Sequence, residues 1–171
     1  IAAAHDLVGL DRFLFQATPP VPDGWPDLPS FHAALAQELF DSPGLRNGRH
    51  GTASVESLRV DEPATAATPA MRALQQLIVD YATQATDNLP AEGHRWLSMR
   101  PASAHLRMWC VITGAAGWER WHMHPQGWAT GGYYVEVPEA VQHGSGPAGC
   151  LEFGLPEHRI GHDVAAAFGS R

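Results

Sequence analysis

The chain has 171 residues, 44% of them hydrophobic, and at this length one core and one domain are the default expectation. A formal charge of −7 argues against nucleic acid and anionic membranes as partners, because binding would work against net repulsion. No apolar run approaches the roughly 20 residues of a membrane helix, and residues 1–5, Ile-Ala-Ala-Ala-His, lack the basic start of a secretion signal, so a soluble, cytoplasmic protein is expected.

Residues 19–29 are a proline-rich extended loop, after which Ser30 is the expected cap of a helix. Phe31, Leu35 and Leu39 recur along one face of that helix, and Ser42-Pro43-Gly44 ends it. Residues 46–58 are polar and contain glycine, and a loop or a hairpin fits equally well. Residues 62–70, rich in Ala, Thr and Pro, read as a linker into a second helix. That helix opens at Thr68-Pro69, carries Met71, Leu74, Ile78, Tyr81 and Ala85 on one stripe, and closes near Asn88-Leu89-Pro90. Both stripes require a surface to cover, and a sheet from the second half is the expected one.

From about residue 103 the helical period disappears. Short β-rich runs at 106–113, 129–137 and 149–153 alternate with Gly and Pro clusters, a strand and turn pattern. Cys110 and Cys150 lie far apart in apolar segments, which predicts buried free thiols and a reducing compartment.

The densest chemistry lies at 118–128, Trp-Glu-Arg-Trp-His-Met-His-Pro-Gln-Gly-Trp. On a strand, alternate residues point the same way, so His122 and His124 can aim both imidazoles at one ion while Met123 faces away. Imidazole suits iron, zinc, copper and nickel. Two hydrogen-bonded histidines with no metal satisfy the same spacing. The cupin pattern, which wants a glutamate four or five residues after the second histidine, fails, because Trp128 and Ala129 stand there.

After the histidines come Pro125-Gln126-Gly127-Trp128, then Gly131-Gly132-Tyr133-Tyr134-Val135, then residues 149–153, Gly-Cys-Leu-Glu-Phe. This order resembles the iron(II)- and 2-oxoglutarate-dependent oxygenase superfamily, and within it the bacterial, prolyl-hydroxylase-like branch with His-x-His-Pro, often attached to tetratricopeptide repeats. Residues 7–12, Leu-Val-Gly-Leu-Asp-Arg, are similar to the start of such domains, and 118–138 is the specific stretch. The resemblance implies an α+β, mainly β fold: a double-stranded β-helix, or jelly roll, with N-terminal helices. It implies one domain over 1–171, with 1–100 as helical and loop support and 101–171 as strands carrying the metal site.

Residue by residue, the resemblance implies that His122 is the first metal histidine and that His124 stands where the superfamily has a carboxylate ligand. It implies that Tyr134 and Thr130 bind the cosubstrate and that Trp109, Trp121 and Trp128 line the pocket; simple core is the other reading of those tryptophans. The implied cofactors are iron(II) and 2-oxoglutarate, and the implied activity is hydroxylation of a small-molecule or peptide substrate that the sequence does not name.

Two departures matter. Histidine at 124 makes the site more positive by one charge. The sequence also ends at Arg171, before the third histidine and the basic residue that would pair with 2-oxoglutarate, so a piece of a longer protein with an attached repeat domain is expected. His158 and His162 lie beyond Phe153 in a segment that resembles a variable loop. A non-catalytic metal-binding or interaction jelly-roll module and a metal-free scaffold are the alternatives.

Overall fold

The computed structural model describes residues 9–48, 51–90 and 93–151. They fall into two compact units that interleave in sequence: 17–48, 51–90 and 100–120 in one, and 9–16, 93–99 and 121–151 in the other.

The first unit begins with helix α2, Leu28–Phe40, which comes after a single-turn helix α1, Leu10–Phe13, of the other unit. Asp27, not Ser30, caps α2: its carboxylate accepts from the Ser30 N–H at 2.7 Å, and bonds from Ser30 hold that carboxyl below its ordinary pKa. The start therefore lies earlier than expected, because Pro29 fits the first turn, where no N–H is needed, and the Asp27 carboxylate then reaches the exposed amides. Phe31, Leu35 and Leu39 are buried as their spacing predicts. Full burial of Phe31 and Leu35 contributes about 2 kcal/mol each.

Helix α3, Pro69–Asp87, comes after a 3-10 turn at Pro63–Ala66 and packs against α2. Thr68 occupies its cap position without bonding the first turn through its side chain. Glu38 of α2 takes over that role: its carboxylate accepts from the Ala70 and Met71 amides, both at 2.9 Å, and from the Thr68 hydroxyl at 2.5 Å. A negative group at a helix N-terminus also meets the favourable end of the helix dipole. Ala70, Met71 and Leu74 are buried, and the stripe then fades to a half-buried Ile78 and an exposed Tyr81. Periodicity specifies a face, not how much of its length finds a partner. The far end is held by Arg100, which donates to the Thr86 carbonyl at 2.9 Å and to Asp87 at 2.7 Å.

Within 46–58 the described residues include two paired strands, favouring the hairpin alternative over the loop. Strands β1, Arg46–Asn47, β2, Ser54–Asp61, and β3, Trp109–Glu119, form an antiparallel sheet in the order β1-β2-β3. Pairing is interrupted between Val55↔Trp118 and Ser57↔Thr113, where Glu56 alone faces residues 114–117. Glu56 takes a left-handed φ of 47°, and a Cβ on Gly117 would lie 2.6 Å from its carbonyl oxygen, so the bulge closes only over glycine. Arg46 and Arg59 both grip Asp61, and the Arg59 guanidinium sits 5.3 Å from the centre of the Trp109 ring.

The expected strand at 129–137 is corrected: no ladder bonds form there. Its β-prone residues do alternate, with Tyr133, Val135 and Val137 half-buried and Tyr134 and Glu136 exposed, but a strand needs a partner edge as well as a pattern. Residues 149–151 are likewise not a strand, and 152–153, with His158 and His162, lie outside the described residues. The fold is therefore mixed α+β with a three-stranded antiparallel sheet among the described residues, and helices, not strands, carry most of its regular structure. Both cysteines are free as expected, but Cys110 is half-buried and Cys150 exposed, correcting the expected burial. No helix of the described residues is long and apolar enough to cross a membrane.

Candidate metal centre

His122 and His124 do not sit on a strand. They lie past the end of β3 at Glu119, in irregular backbone. The two imidazoles nevertheless come together. The two Nε2 atoms are 2.7 Å apart, with ring centroids at 4.8 Å. His124 is half-buried and His122 exposed, so the nitrogens converge at a solvent-facing position.

The chain beyond the pair turns back on it. Pro125 and Gln126 occupy the middle of a turn closed by the Gly127 N–H, which donates to the His124 carbonyl at 3.1 Å. Proline suits that second place, where its fixed φ is already correct. The turn returns Thr130 to the His124 ring, with Thr130 Oγ1 2.9 Å from His124 Nδ1.

Trp128 anchors this reversal. Its ring stacks on Trp96 of α4, Arg95–Ser98, with centroids 4.4 Å apart and planes 8° from parallel. Each indole N–H donates to the other residue's carbonyl, Trp96 to Trp128 at 2.7 Å and Trp128 to Trp96 at 3.1 Å. Phe13 of α1 packs on Trp96 and on His94 at 4.8 and 4.7 Å between centroids, and Leu97 is buried in the same unit. His94 is occupied locally, accepting from the Trp96 N–H through Nδ1 and so capping α4.

Trp121 is 37% exposed beside the pair in sequence, and Trp109 belongs to the sheet unit, where it meets Arg59. Tyr134 is 59% exposed. Tyr133 faces inward, and burial pushes its phenol above the ordinary value. Sequence reasoning missed Trp96, whose contact with Trp128 spans 32 residues and leaves no trace in local spacing. Among the described residues no group of three or more His, Cys, Asp or Glu gathers to hold an ion. An open concavity of about 360 Å³ over the β2–β3 bulge, lined in part by Asn47, Glu56, Ile112 and Thr113, belongs to the sheet unit.

No family model, no curated protein and no solved structure matches the chain.

Proposed function

We propose that His122 and His124 are two ligands of a non-haem iron(II) centre, and that the chain belongs to a jelly-roll dioxygenase coupling 2-oxoglutarate decarboxylation to hydroxylation of a substrate carbon. The observation that carries the metal assignment is the convergence of the two Nε2 atoms at 2.7 Å. An ion held by imidazole lies about 2.1 Å from each nitrogen, so nitrogens this close could reach one ion after a small separation of the rings. The donor chemistry fits as well, since imidazole is a common ligand of iron, zinc, copper and nickel. The choice of iron and 2-oxoglutarate rests on the resemblance of 118–138.

When bound, iron and 2-oxoglutarate together supply the oxidation: dioxygen gives one atom to succinate, with release of carbon dioxide, and one to the substrate C–H bond. The protein's part is to hold and shape. His122 and His124 present nitrogen lone pairs, the Pro125 turn and the Trp96–Trp128 stack fix the segment bearing them, and Tyr134 presents its phenol for the cosubstrate. Succinate formation by the chain with iron(II) and 2-oxoglutarate tests the assignment; it should fall to background in His122→Ala, and equal turnover by both proteins rejects it.

A second reading, a metal-binding module without catalysis, is favoured by one observation: His124 stands where the resemblance has a carboxylate ligand. The two readings separate on 2-oxoglutarate binding by the metal-loaded chain, expected for the enzyme and absent for the module.

A further inference from the structure

We infer that Thr130 is a positioning residue for His124, holding the ring in the tautomer that leaves Nε2 free to bind the ion. The inference rests on the reading of His122 and His124 as ligands and assigns Thr130 a different part from the cosubstrate contact that the resemblance implies.

A neutral imidazole carries one N–H and one lone pair. With the two Nε2 atoms 2.7 Å apart, only one proton fits between them, so at least one ring presents a lone pair there. An ion at that point needs the lone pair of both. The proton of His124 must then reside on Nδ1, and the group beside Nδ1 must accept it. Thr130 Oγ1, at 2.9 Å, is placed to do so.

A hydroxyl suits this task because it rotates to donate or accept, whereas a methyl of the same size does neither. A partner on the second nitrogen of a metal-binding histidine fixes both tautomer and ring orientation. The contact is produced by the local fold: the turn at 125–126 reverses the chain, and Trp128, stacked on Trp96, pins the returning segment two residues before Thr130. Because the contact is exposed, water replaces part of it when the hydroxyl is lost, which places the expected loss of metal affinity near tenfold, the lower end for such partners.

The experiment uses the full chain as wild type, His122→Ala, Thr130→Val and Thr130→Ser, titrated with zinc and then, zinc-loaded, with 2-oxoglutarate, together with long-range proton–nitrogen correlation spectra of the histidine side chains without metal. The expected result is about tenfold weaker zinc binding in Thr130→Val with a shift of His124 away from the Nδ1–H tautomer, and recovery of both in Thr130→Ser. Wild-type zinc affinity and tautomer in Thr130→Val overturn the inference alone, as does a Thr130→Ser that fails to recover either. A fall in 2-oxoglutarate affinity with zinc affinity intact also overturns it and returns Thr130 to the cosubstrate. Wild type binding zinc no better than His122→Ala overturns the ligand assignment and the inference together.

Discussion

The sheet unit and the histidine-bearing unit are held together by different means. In the first, Phe31, Leu35, Leu39, Ala70, Met71 and Leu74 bury a continuous helix interface, and β2 and β3 share a long antiparallel ladder. In the second, the helices among the described residues are single turns, and their order comes from indole N–H groups bonded to carbonyls, one ring stack and a proline turn. Apolar burial is non-directional and tolerates small shifts, whereas hydrogen bonds and stacking fix angles as well as distances. The second kind of support suits a pair of imidazoles whose nitrogens must meet at one point.

Substitutions in each unit can break this contrast. The largest expected effect is Leu35→Ala, a loss of about 3 kcal/mol from removing a fully buried side chain, read as a lower urea midpoint; an unmoved midpoint would show that the helix interface is not what stabilises its unit. Gly117→Ala should cost about 2 kcal/mol, because the new methyl meets the Glu56 carbonyl and the bulge must shift. Thermal unfolding checks it, with Ala116→Gly as a neighbour lacking that clash.

Trp128→Ala should act locally. Amides of 93–99 and 121–130 should exchange faster, and zinc should bind about tenfold more weakly through the loosened turn, the usual range for lost support around a ligand. Unchanged zinc affinity would separate the stack from the histidines. Glu38→Ala removes a carboxylate that caps α3 from α2, at a cost of about 1 kcal/mol, visible by urea denaturation monitored through helical circular dichroism.

The smallest effect is in pH dependence. Burial raises the Cys110 thiol above its ordinary value of 9.0, so the folded state disfavours its thiolate. A raised folded pKa gives a contribution fully present below the unfolded pKa and lost as pH rises through the folded one. The urea midpoint should therefore decline above about pH 9, and Cys110→Ala should flatten that decline.

Both long helices were legible in the sequence, since each presents apolar residues at helical spacing and Pro69 marks a first turn. The cap of α2 was displaced by three residues, and the strand at 129–137 did not form. Capping depends on which side chain reaches the amides, and pairing depends on an edge elsewhere in the chain. Trp128 was singled out without Trp96, and Thr130 without its bond to His124.

What the sequence determined by itself was the side-chain period. It buried Phe31, Leu35 and Leu39 together, because the helical repeat is a consequence of backbone stereochemistry alone, and it singled out His122 and His124, whose rings meet although no strand holds them. What only the tertiary structure decided was every contact across a turn or between distant segments. Glu38 on α3, Trp96 on Trp128 and Thr130 on His124 each depend on how the chain folds back, and no local pattern of residues encodes that path.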